Sequence, residues 1–403
     1  MNLLPHWRLL RALAAVVETG STQRAGALLH VAQSSVARAV LQLEAVAGTA
    51  LFERAGRGML PTPAGQQLAL RAARALQLFV DADRHRTRHA TTRWHESPLA
   101  LGLAARHVEV LLAVAAGASE ARAAQQLGVS QPAVHQSLQQ LVHLSAATLF
   151  VRTRTGLRLE EAGDALVRAC RLALAELRQA AEEWPRAGAT LQGRLVVGTL
   201  PFSTTMLLAS AVEQLLHREP GVELVLIDGT FDALVAQLRN AELDCIVGAL
   251  RHAPPHADLQ QECLFDDRLA VVARAGHPLA TRKRIAWSAL HKAQWVMPMP
   301  DTPAQRAFDH MVQATGLPVP SAQLRANSAM LMQALLQDSD RLALMSPRQM
   351  AREIAAGLLV ELPLAVPQDA RHIGALWRAG YLPTPAASQW QSLLREVGRS
   401  LGS

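Results

Sequence analysis

A displacement of 98 positions lays residues 21–68 of this chain on residues 119–166 without a gap, and 16 of the 48 pairs are identical. An Ala- and Leu-rich composition alone would match roughly a tenth of them. The shared residues differ in kind: Ser21/Ser119, Arg24/Arg122, Gln33/Gln131, Val36/Val134, Leu43/Leu141, Leu51/Leu149, Phe52/Phe150, Arg54/Arg152, Gly58/Gly156 and Gly65/Gly163. A repeat near 100 residues is a duplicated domain, not a solenoid unit. Whatever the first copy folds into, the chain therefore holds twice.

In the first copy Ser21 caps a short helix through Leu29, His30 and Val31 make the turn, and a second helix opens near Gln33 and runs to about Val46. Val36, Val40 and Leu43 share one face at helical spacing and pack on the first helix. That leaves Gln33, Ser34, Ser35 and Arg38 at the exposed N-terminal end, where a recognition helix meets bases and phosphates. The second copy offers Gln131, Pro132, Ala133, His135 and Gln136, with Pro132 near the first helical position, where it is tolerated. LFERAGRGMLPTPAG and LFVRTRTGLRLEEAG follow the two helices. Leu-Phe anchors a hairpin wing that carries Arg54 and Arg57, or Arg152 and Arg154, towards a phosphate backbone.

Both repeats are similar to the N-terminal winged helix-turn-helix of LysR-type transcriptional regulators: a Ser, a paired Ala, a V-x-Q-P-A-V-S-R helix, Leu-Glu, Leu-Phe-x-Arg and Leu-Thr-x-Ala-Gly. The first copy keeps Gln33, Val36, Arg38, Leu43, Glu44, Leu51, Phe52, Arg54 and Gly65, with Ser34 where Pro is usual. The second keeps Gln131, Pro132, Ala133 and Val134, but has His135 and Gln136 in place of Ser-Arg and Val142 in place of Glu. The resemblance implies double-stranded DNA as a partner. The residues expected at that interface are Ser21, Gln33, Ser34, Ser35, Arg38, Arg54 and Arg57, then Gln131, Pro132, His135, Arg152 and Arg154. Family members ordinarily carry one such domain, so the duplication is a departure. Base reading is expected of the first copy and mainly non-specific phosphate contact of the second.

The formal charge of +7 is compatible with nucleic acid, and residues 1–95 hold twelve Arg and no Lys against five acids. Arg replaces Lys throughout, however, only Lys283 and Lys292 being present, so charge alone does not select DNA. Cys170, Cys245 and Cys263 form no C-x-x-C pair, which argues against a disulfide framework or zinc site and fits a reducing cytoplasm. His85, His89 and His95 lie in a polar run at 81–98 that reads as a linker rather than a metal site. Arg8 and Arg11 interrupt the N-terminal apolar run, which argues against a signal peptide, and no charge-free segment reaches transmembrane length. No cofactor or metal is expected.

The expected organisation is multidomain: a winged helix-turn-helix at 1–62, a linker helix and linker at 63–98, a second winged domain at 99–160, a second linker helix at 161–190, and an α/β region at 191–403. Leu68, Ala72, Ala75, Leu76, Phe79 and Val80 form the apolar stripe of the first linker helix, which in the family pairs with its twin in a dimer. From residue 191, strand-like and helical runs alternate (RLVVGTL, VELVLIDGT and LDCIVGAL among them), which argues for βαβ units and a parallel sheet. This resembles the periplasmic-binding-protein-like, two-lobed effector-binding half of the same family, with lobe I at about 191–268 and 371–403 and lobe II at about 269–370.

Ligands in such clefts sit beyond the carboxyl ends of strands, near helix N-termini. Ser203, Thr204, Thr230, Asp301, Thr302, Asn327 and Ser328 meet that description, and each also meets the description of a plain N-cap. The reading that follows is a ligand-responsive, sequence-specific DNA-binding regulator acting as a homodimer or homotetramer through linker helices and effector domains, with RNA polymerase as a further partner. Alternatives are a DNA-binding regulator without a small-molecule effector, an α/β solute-binding protein, or an enzyme using Ser203 or Cys245. No G-x-S-x-G or Walker loop supports an enzyme, and none is expected.

Overall fold

The computed structural model describes residues 3–55, 58–83, 93–154, 156–184, 191–200, 205–314, 316, 320, 324–364, 366 and 371–402. The chain forms two compact units, Met1–Ala189 and Thr190–Ser403.

In the first unit the two copies fold alike. The first comprises α1 (Trp7–Thr19), α2 (Thr22–Leu28), α3 (Gln33–Ala47), the hairpin β1 (Phe52–Ala55) and β2 (Gly58–Pro61), and α4 (Pro63–Asp83). After a short helix, α5 (Pro98–Gly102), the second repeats the order as α6 (Ala105–Gly117), α7 (Glu120–Leu127), α8 (Gln131–Ser145), β3 (Phe150–Thr153), β4 (Gly156–Leu159) and α9 (Glu161–Glu182). Equivalent residues do equivalent work. Ser21 Oγ accepts from Arg24 N and Ser119 Oγ from Arg122 N, each at 3.5 Å. Val36, Leu43 and Leu51 are buried, as are Val134, Leu141 and Leu149. The Ala-Gly pair has a steric cause: a Cβ on Gly65 would stand 2.0 Å from Leu51 O, and one on Gly163 2.1 Å from Leu149 O. In the first copy Glu44 Oε1 also accepts from Leu51 N at 2.8 Å and Phe52 N at 3.2 Å, fixing the start of the β1–β2 hairpin to α3.

The apolar stripe of α4 packs along α9, and one continuous core runs through both copies, from Trp7, Leu76 and Phe79 to Cys170, Ala173 and Leu177. This corrects the expected pairing of α4 with its twin from another chain. Its partner is α9 of the same chain, because Arg71, fully buried on α4, finds its carboxylates there.

The second unit has two sheets. The first lobe is built from β5 (Gly193–Thr199), α10 (Thr205–Arg218), β6 (Val222–Asp228), α11 (Phe231–Arg239), β7 (Cys245–Ala249) and β8 (Leu259–Asp267). The second lobe follows with β9 (Ala270–Arg274), α12 (Trp287–His291), β10 (Gln294–Val296), α13 (Pro303–Gln313), α14 (Ala329–Gln337), β11 (Arg341–Met345), α15 (Ala351–Ala355) and β12 (Leu359–Glu361). The chain then returns to the first lobe as β13 (Arg371–Arg378) and α16 (Pro385–Gly402).

Strand orders are β6-β5-β7-β13-β8 and β10-β11-β9-β12. The expected parallel sheet is corrected to a mixed one: β5 runs parallel to β6 and β7, and β10 to β11, but β13 is antiparallel to β7 and β8, and β9 to β11 and β12. The antiparallel strands are those that carry the chain between lobes rather than through a helical crossover. Alternation along β5 sorts the core into two layers, Leu195 and Val197 against α10 and α16, and Val196 against α11. Among the described residues, QLRANS contributes a single bridge, Met297 to Arg325. Among the described residues no helix is long and apolar enough to cross a membrane.

Candidate nucleic-acid interface and ligand cleft

At the N-terminus of α3, Gln33, Ser34, Ser35 and Arg38 are exposed, while Val36, Val40 and Leu43 fill the core. Gln33 Nε2 donates to Thr22 Oγ1 at 3.2 Å, which fixes the amide against the first helix of the motif. Half-buried Ser21 caps that helix. Arg54 lies on the wing opposite Met59; Arg57 lies outside the described residues. In the second copy Gln131, Pro132, His135 and Gln136 are exposed at the N-terminus of α8, and Arg152 and Arg154 are exposed at the wing.

The two faces differ in charge. Glu120, where the first copy has Thr22, lies 3.3 Å from His135 Nδ1 and 3.6 Å from Arg152 Nη2. Both partners are largely solvated, so these pairs add little stability. They do set a carboxylate beside two groups expected to meet phosphate.

In the second unit Thr230, Asp301, Thr302 and Asn327 line one cleft of about 260 Å³. Thr230 caps α11 without a side-chain hydrogen bond, and Asp301 sits in the left-handed region at φ 60°. Thr302 works as a helix cap, its Oγ1 accepting from Gln305 N at 3.1 Å and donating to Met299 O at 2.7 Å. Ser328 accepts from Leu331 N at 3.4 Å and is not part of the cleft wall. Ser203 and Thr204 lie outside the described residues.

Sequence reasoning missed the two arginines in this cleft. Arg251, just beyond the end of β7, places its guanidinium 4.3 Å from the Phe231 ring centroid, and its Nη1 is buried without a hydrogen-bond partner among the described residues. Burial and then Arg306 lower its pKa, while Asp232 and Asp301 act the other way. Arg371 lies deeper, with Nη1 3.3 Å from Asp267 Oδ2, whose other oxygen accepts from Ser346 Oγ at 3.0 Å. Burial lowers the Arg371 pKa against the pull of Asp267. The signal for Arg251 was available, since it follows the apolar strand at the end where ligands bind. Met297, Met299, Met332 and Met345 supply an adaptable apolar wall.

A model of the bacterial regulatory helix-turn-helix protein of the lysR family matches residues 7–66 and again 105–164, and one of the LysR substrate binding domain matches 188–399. The chain belongs to the LysR family of transcriptional regulators. Among LysR-family relatives, it is 36% identical to the HTH-type transcriptional regulator GalR of Pseudomonas putida, over 98% of both chains. It is 27% identical to the HTH-type transcriptional regulator PcaQ of Agrobacterium fabrum, over 73% of this chain and 95% of that one. The structure of full-length LysG from Corynebacterium glutamicum with bound effector Arg shares the fold at 16% identity and TM-score 0.54, covering 73% of this chain and 98% of LysG. A full-length OxyR variant from Pseudomonas aeruginosa does so at 20% identity and TM-score 0.53, covering 73% and 93%. This LysR-type chain is thus longer than the stretch it shares with PcaQ, LysG or OxyR, whereas GalR of Pseudomonas putida aligns along nearly all of it.

Proposed function

We propose that this chain is a ligand-responsive, sequence-specific transcriptional regulator that reads double-stranded DNA with Gln33, Ser34, Ser35 and Arg38 and senses a small organic carboxylate in the cleft of its second unit. Regulation of bacterial DNA puts its work in the cytoplasm, with effector-domain dimers and RNA polymerase as further partners. The domain limits proposed from the sequence serve this division: reading heads before residue 160, sensor after 190.

The observation that carries the sensing role is Arg251 Nη1, a buried donor without an acceptor among the described residues, beside an apolar wall. An unsatisfied buried donor of this kind costs about 1–3 kcal/mol, which a ligand carboxylate would recover. Titration calorimetry of the full chain against aliphatic and aromatic monocarboxylates and their amides tests it. We expect at least one acid to bind tenfold or more tighter than its amide, and Arg251→Gln to erase that preference. Equal affinities, or no binding by any acid, would leave a DNA-binding regulator without this kind of effector.

A further inference from the structure

Charges that only one pairing can satisfy hold the two long helices together. Arg71 Nη1 donates to Glu176 Oε2 at 2.9 Å and Gln179 Oε1 at 3.0 Å, Nε donates to Glu183 Oε2 at 3.1 Å, and Nη2 also reaches Glu183. Arg74 Nε adds a 2.9 Å bond to Glu176 Oε1, and Gln67 Nε2 a 3.2 Å bond to Glu183 Oε2. Burial by itself lowers the Arg71 pKa, but the hydrogen bonds and charges of Glu183 and Glu176 more than reverse this, so the guanidinium is held above its ordinary value.

Carried along these helices, the 98-residue offset equates Arg71 with Ala169, Arg74 with Leu172, Glu176 with Leu78, Gln179 with Asp81 and Glu183 with His85. Two α4 helices in this geometry would set Arg71 against Leu78 in place of Glu176, with the single carboxylate of Asp81 in place of Gln179. Two α9 helices would bury Glu176 against Ala169 and Leu172. An uncompensated buried charge is strongly destabilising, so the sequence favours first copy against second, the pairing that gives Arg71 both glutamates and Glu176 its arginines. One more unlike tie agrees: Trp184 Nε1, at the end of α9, donates to Ala47 O of the first copy at 3.1 Å.

The paired reading faces are not equivalent. Ser34, Ser35, Ala37 and Arg38 correspond to Pro132, Ala133, His135 and Gln136. A guanidinium pairs bidentately with guanine and an amide with adenine, so one base sequence cannot suit both faces. Glu120, beside the second face, weakens its attraction for phosphate.

The geometry points to a non-palindromic operator: one chain, with α4 locked on α9, presents two different readers, and the base preference is weighted to the half met by Arg38. This rests on the DNA-reading role proposed above. Selection from duplexes with a randomised window of about 20 bp, room for two half-sites a helical turn apart, tests it with the full chain. The expected consensus has no dyad, including one confined to a single half, and Arg38→Ala weakens preference tenfold or more in one half only. A palindromic consensus, with both halves eroded by Arg38→Ala, overturns the asymmetry while leaving DNA reading intact. No enrichment over the input library would sink the DNA-reading role itself, and the inference with it.

Discussion

The first winged copy and the second share a backbone and differ on the surface that would face DNA. His30 and Gly128 occupy the same left-handed position, at φ 55° and 65°, and Gly48 and Ala146 share another, at 68° and 41°. The turns persist although the residue best suited to them stands in only one copy of each pair. Core residues are retained where packing leaves no room for change, as at Leu43/Leu141 and Leu51/Leu149, each almost fully buried. Positions outside the core are free to diverge, and exposed Arg38/Gln136 and half-buried Thr22/Glu120 have done so. A duplicated domain thus keeps its fold while its two copies part in chemistry.

If the two copies were interchangeable, losing Arg71 would cost no more than losing an exposed arginine. We expect otherwise: Arg71→Ala leaves Glu176 and Glu183 without their buried partner and destabilises the first unit by about 3–5 kcal/mol. Urea unfolding of the full chain, read at the transition of that unit, measures it. Replacing Arg71, Glu176 and Glu183 together by Met, Leu and Leu should restore much of the loss, since the buried guanidinium goes together with both its carboxylates and only the half-buried Arg74 gives up a partner. A cost under about 1 kcal/mol for Arg71→Ala, the size of an exposed pair, would break the unlike-pair account.

A smaller effect sharpens the contrast in charge. Glu120→Gln removes the carboxylate beside His135 and Arg152, so the salt slope of DNA binding should steepen by up to about 0.9, the contribution of one phosphate contact. Fluorescence anisotropy over a salt series checks this. An unchanged slope and affinity would take the second wing off the DNA.

The duplication, the helix-turn-helix elements and the two-lobed α/β unit were legible because they rest on local signals: gap-free identity, helical spacing of Val36, Val40 and Leu43, and alternation of strand and helix. The pairing of α4 with α9 was not, because Arg71 and Glu176 are over a hundred residues apart and each reads alone as an ordinary surface charge. The mixed sheet escaped for a related reason. β8 and β13 reverse direction through the second lobe, and direction leaves no mark on a strand's own residues. In the cleft, Thr230, Asp301, Thr302 and Asn327 came from position relative to strands, whereas Arg251 drew attention only once its Nη1 was seen buried and unpartnered.

The central claim, one chain carrying two unlike readers side by side, is met most directly by tethered cleavage. Cys263 is exposed and would be replaced by Ser; Cys170 and Cys245 are buried, and burial pushes the Cys170 thiol up to about 12 and raises that of Cys245, so neither takes a label. With an iron chelate on Ser34→Cys or on Pro132→Cys, each full-length variant is bound to one selected duplex of about 20 bp and the cut positions are mapped. The account predicts two separate clusters of cuts about one helical turn apart, one for each variant, in an order that does not reverse. Both variants cutting both halves equally would contradict it.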